Sequence, residues 1–117
     1  MGWSGFDQRS FPRVQAKCDI RILQSAGGII RTKTENLGAG GVRVILEQEL
    51  EKLSRVHLRV TLPGSSTSFH CDGRIVWTVR STEPRLHQVA YDTGIEFLNL
   101  RPEDKDAILT FTENQTH

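Results

Sequence analysis

The chain has 117 residues, 37% of them hydrophobic and 25% charged, which suits one soluble domain with one core and excludes two. No uncharged run approaches the length of a membrane-spanning helix, and Met1-Gly2-Trp3-Ser4-Gly5-Phe6-Asp7 lacks the basic start and apolar stretch of a signal peptide. These features predict a cytoplasmic protein without membrane insertion, and a formal net charge of only +1 gives no whole-molecule field for DNA or RNA.

Residues 1–13 show no periodicity and contain Gly2, Gly5 and Pro12, so they read as a flexible arm ahead of a folded domain over 14–117. The arm and the residues after it are basic. Residues 1–33 carry six Lys or Arg against two Asp, whereas residues 92–117 carry two against six acids. An anionic ligand would be captured at the basic end.

From Val14 the pattern becomes orderly. Val14, Ala16, Cys18, Ile20 and Ile22 alternate with polar residues, the period-two signature of a half-buried strand. Gly27-Gly28 predicts a hairpin turn, and Ile29 to Glu35 the returning strand. Asn36-Leu37-Gly38-Ala39-Gly40-Gly41 reads as a connection before strand character resumes at Val42 to Leu46. Glu47 to Leu53 is a helical turn or a loop. Val56, Leu58, Val60 and Leu62 then form a clean half-buried strand that Pro63-Gly64 ends.

Phe69, Cys71, Ile75, Trp77 and Val79 share one phase of the next strand, and Val76 breaks the alternation, by a bulge near Gly73 or by burial of both faces. His87 to Leu98 is the last long strand. At Pro102 the period changes. Proline suits the first position of a helix, Glu103, Asp104 and Asp106 favour its N-terminal dipole, and Ala107, Ile108 and Phe111 share one face. Six strands and one terminal amphipathic helix predict a mainly β protein, a small antiparallel barrel with a helix against it.

Catalytic patterns are missing from the sequence. His57, His70, His87 and His117 are scattered, no serine or cysteine lies in a nucleophile elbow, and no glycine-rich loop runs into Lys-Ser/Thr. Cys18 and Cys71 lack a CxxC or His partner and fall on apolar phases, so they read as buried reduced thiols. No catalytic residue, metal or cofactor is expected.

Two features remain. Arg9-Ser10-Phe11-Pro12-Arg13 sets two guanidinium groups four residues apart on the arm, each a planar fork suited to a phosphate or a guanine edge. The run Asn36 to Gly41 offers an amide and a stretch of backbone with almost no side chain, over which a flat ligand can lie. In this order and spacing they resemble the PilZ domain family, whose signature is RxxxR followed about two strands later by [D/N]xSxxG. The first motif is matched in full, the second at Asn36 and Gly41. Gly73-Arg74-Ile75-Val76-Trp77, and Gly94-Ile95-Glu96-Phe97 with the acidic helix, are similar to the family's last two strands and tail, so the resemblance covers residues 7–112.

The resemblance implies a six-stranded antiparallel PilZ-type barrel with a C-terminal α-helix, from a bacterium, that binds the second messenger cyclic di-GMP without turning it over. It further implies that Arg9 and Arg13 clasp the phosphates and a guanine edge and that Asn36 bonds a second guanine. Gly41 keeps the surface low, and Trp77 either presents its ring beside a base or sits in the core. Two positions depart from the family pattern. Gly38 replaces the serine, removing a hydroxyl contact that its own N–H can replace. Gln8 stands where an additional arginine goes with a mutually intercalated ligand pair, which favours weaker binding or a single ligand per domain.

The function so implied is a receptor or adaptor that changes shape on binding and signals to an unidentified downstream protein. The alternative is a PilZ-like module that has lost its ligand and acts by docking in a pilus, flagellar or signalling assembly. A barrel for single-stranded nucleic acid would need aromatics among exposed basic residues, and Phe69, Trp77 and Tyr91 fall mostly in core phase.

Overall fold

A computed structural model describes residues 13–64, 67–83 and 88–115. The alternating segments form β1 (Arg13–Gln15), β2 (Asp19–Gln24), β3 (Ile29–Gly38), β4 (Gly41–Leu46), β5 (Arg55–Thr61), β6 (Ser68–Glu83) and β7 (Gln88–Phe97). The helix α1 spans Pro102–Gln115. All pairings are antiparallel, in the order β1-β3-β2-β5-β6-β7-β4, and β4 returns to β3. β2 to β7 therefore close a six-stranded barrel, with β1 laid along the end of β3. Barrel and terminal helix are as the sequence predicts.

The inward phases meet in one core. Ile20, Ile22, Leu37, Val42, Val44, Leu58, Val60, Ile75 and Ile95 are essentially inaccessible to solvent, and Ile108 of α1 joins them. Each such side chain contributes roughly 1.5–3 kcal/mol relative to exposure. Cys18 and Cys71 are buried there as free thiols, and burial pushes Cys71 up to about 12. Helix α1 packs on β1 and β3. The Arg101 carbonyl accepts the N–H groups of Asp104 and Lys105 at its start, and acidic Glu103 and Asp104 lie in its first turn.

Several local readings change. The single strand expected from Val14 to Ile22 is broken at Ala16-Lys17-Cys18, which face only Thr34 and Glu35 of β3. The mismatch is absorbed by the Thr34 hydroxyl, which donates to the Ala16 carbonyl and accepts the Cys18 N–H at 2.9 Å. β1 also takes in Arg13, the last residue assigned to the arm. Residues 1–12, including Gln8 and Arg9, lie outside the described residues.

The run Asn36 to Gly41 is mostly strand. β3 continues through Gly38, Gly38 pairs with Gly41, and only Ala39-Gly40 turn. At the other hairpin Gly27 has φ +102 and closes a turn onto Gln24, the left-handed conformation that favours glycine. Glu47 to Leu53 is loop rather than helix. Leu53 holds φ +73, its N–H donating to the Ile75 carbonyl at 2.7 Å.

In β6 the bulge falls at Val76 rather than near Gly73, where the register is regular: Ile75 pairs with Ile95 and Trp77 with Gly94. The extra residue turns everything after it over, so Trp77 is half-buried and Val79 is 57% exposed. The core phase read for both residues is thereby corrected.

Candidate functional site

The outer face of β1, β3, β4, β7 and β6 is organised by register into two neighbouring rows. One runs Gln15, Asn36, Arg43, Gly94, Trp77, and the other Arg13, Gly38, Gly41, Glu96, Arg74. At about 4.8 Å per strand the platform is roughly 19 Å wide. Gly38, Gly41 and Gly94 leave its floor without side chains.

Asn36 lies here because β3 bulges at Glu35: Thr34 pairs with Val44 and Asn36 with Arg43. Leu37 points into the core, so Asn36 points out. The Asn36 Oδ1 is buried and has no hydrogen-bond partner among the described residues. Such a buried acceptor costs about 1–3 kcal/mol until a donor reaches it.

Next to it stands a polar cluster that the sequence reading missed. Arg43 Nε donates to Asp92 Oδ1 and Oδ2 at 3.0 and 3.1 Å, and its terminal nitrogen donates to Oδ2 at 2.8 Å. The Trp77 Nε1–H donates to Asp92 Oδ1 at 3.2 Å. Asp92 therefore fixes both the guanidinium plane and the indole ring, and its hydrogen bonds hold Arg43 above the usual arginine value. The only sequence signals were the outward phase of Arg43, two residues after Gly41, and of Asp92, two residues before Gly94.

Arg74 likewise meets Glu96 at 3.5 Å. The platform's described guanidinium groups, those of Arg43 and Arg74, are thus matched by carboxylates. The backbone of Arg13 begins β1 opposite Gly38, two residues along β3 from Asn36.

Gly41 has a structural duty of its own. A Cβ there would lie 2.2 Å from the Ile95 carbonyl oxygen and 3.0 Å from the Glu96 Cα. The close approach of β4 to β7 thus demands glycine whatever lies above it. Of the sequence-selected residues, Asn36, Gly38, Gly41 and Trp77 share this one face with the backbone of Arg13. Among the described residues no group of three or more His, Cys, Asp or Glu is placed to hold a metal.

The PilZ domain family model matches residues 7–114. The chain belongs to the PilZ domain family.

Solved structures carry the same fold. The barrel is similar to the Bacillus subtilis inhibitor of motility MotI/DgrA, with TM-score 0.76 and 20% identity over 94% of this chain and 51% of that one. It is similar to the PilZ domain of Escherichia coli YcgR with c-di-GMP, with TM-score 0.71 and 17% identity over 94% and 95% of the two chains. A third likeness is to the MrkH–c-di-GMP complex of K. pneumonia, with TM-score 0.74 and 13% identity over 94% and 52%. The chain spans about half the length of the MotI/DgrA and MrkH chains. No curated protein matches it. No helix of the described PilZ barrel is long and apolar enough to cross a membrane.

Proposed function

We propose that the chain is a cyclic di-GMP receptor that binds one ligand on the outer face around Asn36 and catalyses nothing. The observation that carries this reading is the buried, unpartnered Oδ1 of Asn36, one row from the strand pairing of Arg13 with Gly38. A guanine offers N–H donors to that oxygen, the glycine floor accepts a flat base, and the dianionic phosphates need the arginines that the paired platform lacks. Arg9 and Arg13 supply them. Trp77, held by Asp92, lines the far edge beside Gly94, and Gln8 leaves room for a single ligand. Support also comes from family membership and from similar PilZ structures that contain c-di-GMP.

In this reading the arm orders over the ligand and presents a changed surface to a partner protein. Each arm residue fixed costs about 1–2 kcal/mol of backbone entropy, which charge-assisted hydrogen bonds of about 1.5–3 kcal/mol each must exceed. Titration calorimetry with cyclic di-GMP tests the assignment, with GTP, cyclic AMP and duplex DNA as controls. DNA belongs there because MrkH is described as a transcription regulatory factor. Arg9→Ala, Arg13→Ala and Asn36→Ala should each weaken binding roughly tenfold or more, the two arginine variants at unchanged thermal stability and Asn36→Ala at a stability no lower than wild type. Wild-type affinity in all three would remove the site assignment.

The second reading is a domain that has lost its ligand and works by docking alone. Gly38 in the serine position and Gln8 before the arginines favour it. A folded chain showing no heat of binding at high micromolar cyclic di-GMP would establish it in place of the first.

A further inference from the structure

The wall formed by β3, β2 and β5 carries a charge arrangement that the ligand platform does not use. Arg21 pairs with Arg31 across one ladder and with Arg59 across the next, so three arginines stand in one row on adjacent strands. All three are exposed. Like charges directly opposite each other destabilise a sheet, and among the described residues none of the three meets a carboxylate. The contrast is with Arg43, Arg55, Arg74 and Arg101, each of which does. The one acid beside the row, Asp19, is held by Lys33 at 2.7 Å. The three guanidinium groups line a concavity of about 250 Å³ with Asp19, Thr32 and Thr61.

Two residues along the strands, the next outward row is apolar at its start. Leu23 pairs with Ile29 and with His57, and Leu23 and Ile29 are 36% and 49% exposed. An arginine row flanked by exposed aliphatic side chains has the composition of a protein interface, in which Arg is enriched and an apolar patch is desolvated. Along β3, Arg31 lies five residues from Asn36, about 17 Å at strand rise. The wall is thus separate from the ligand platform, and its use does not depend on whether that platform binds a nucleotide.

We propose that this wall docks an acidic amphipathic helix of a partner protein. Neighbouring strands lie about 4.8 Å apart, so the arginine row spans roughly 10 Å. A helix laid across the strands brings one side chain per turn to a given edge, about 5.4 Å apart. Three successive turns therefore offer one carboxylate to each of Arg31, Arg21 and Arg59. An apolar stripe on the adjacent helix face then covers Leu23 and Ile29. A nucleic-acid strand fits less well: its phosphates would lie against those two aliphatic residues, and the row has no Phe, Tyr or Trp on which a base could stack.

The test is a two-dimensional amide NMR titration of the full chain with a synthetic peptide of about 18 residues, long enough to hold a helix. The peptide bears one Glu per turn beside a Leu stripe. A scrambled peptide of the same composition and a duplex DNA are titrated in parallel, and sedimentation reports self-association. The proposal predicts shifts confined to the outward residues of β2, β3 and β5. The double variant Arg21→Glu/Arg59→Glu should weaken binding roughly tenfold or more, and only the binding of the wild type should fall as salt is raised. It should also melt close to wild type, because it turns the opposition of positions 21 and 31 into attraction while positions 21 and 59 still carry like charges. Arg21→Gln/Arg59→Gln serves should the double reversal fail to fold. The proposal is overturned by absent binding, by equal binding of the scrambled peptide, by shifts on another wall, by tighter DNA binding at the row, or by self-association through it.

Discussion

The Gly41 substitution separates two reasons for a glycine on the outer platform. Placing a Cβ at Gly41 puts it 2.2 Å from the Ile95 carbonyl oxygen and 3.1 Å from the Ile95 carbonyl carbon, both main-chain atoms that no rotamer change can move. β4 and β7 must therefore part by roughly 1 Å at the rung where Gly41 faces Glu96. Overpacking of this kind costs about 1–3 kcal/mol, and disrupting a ladder hydrogen bond adds about 0.5–1.5 kcal/mol. Gly41→Ala should thus lose about 2–4 kcal/mol, a large share of the roughly 5–15 kcal/mol that holds a domain of this size. At about 4 °C per kcal/mol the melting temperature falls by roughly 8–16 °C. Gly73→Ala is the internal comparison. A Cβ there meets Ile95 Cγ2 at 2.7 Å and Leu58 Cδ1 at 2.8 Å, both fully buried, with the Glu96 carbonyl oxygen at 3.3 Å. Its cost is that of overpacking the core alone, about 1–3 kcal/mol, with no ladder bond broken. Thermal unfolding followed by circular dichroism reads both. A Gly41→Ala protein melting within about 2 °C of wild type would refute the strand-packing argument and return Gly41 to a purely ligand-facing role. A large drop means that lost binding in that variant says nothing about ligand contact.

Leu53 holds φ +73 while 65% exposed, so its backbone strain is not repaid by burial. Leu53→Asn should stabilise the fold by about 0.5–1 kcal/mol, seen as a rise of a few degrees in the melting temperature. Asp72 is held below the ordinary carboxylate value of 3.8 by hydrogen bonds from His57 and then Arg55. Its contribution is present above that value and is lost as pH falls through the lowered one. Urea unfolding across acidic pH should therefore show a shallower decline for Asp72→Asn than for wild type. Cys18 and Cys71 are buried, with Cys71 pushed up to about 12. Ellman's reagent at pH 8 should therefore titrate neither thiol until denaturant is added, and fast labelling of the folded protein would contradict their burial.

The barrel was legible in the sequence wherever inside and outside alternate without interruption. Val56, Leu58 and Val60 of β5 and the Ile20–Ile22 stretch of β2 came through intact, as did the helix that Pro102 and its acids announce. What stayed hidden was where an extra residue falls and which side chains it turns over. The bulge at Val76 reverses a phase, so Trp77 read as half core and Val79 as core, although both face out. The break at Ala16 to Cys18 is mended by the hydroxyl of Thr34, a residue that alternation alone marks only as inward. On the platform, Asn36, Gly38 and Gly41 were singled out by a run of bare backbone together with the resemblance to the PilZ motif, and the register sets the three on one face. Arg43 and Asp92 were not, since a cross-strand ion pair 49 residues apart leaves none until the register of β4 against β7 is known.

The proposal that cyclic di-GMP lies against Asn36 is tested most directly by amide chemical shifts of the whole chain, recorded with and without saturating ligand. The account predicts that the largest changes fall on Arg13, Asn36, Gly38, Arg43 and Gly94, including the Asn36 side-chain amide and the Trp77 indole N–H. Arg21, Arg31 and Arg59 should stay unmoved. Changes centred on the β2–β5 wall, or a spectrum indifferent to the ligand, would contradict it.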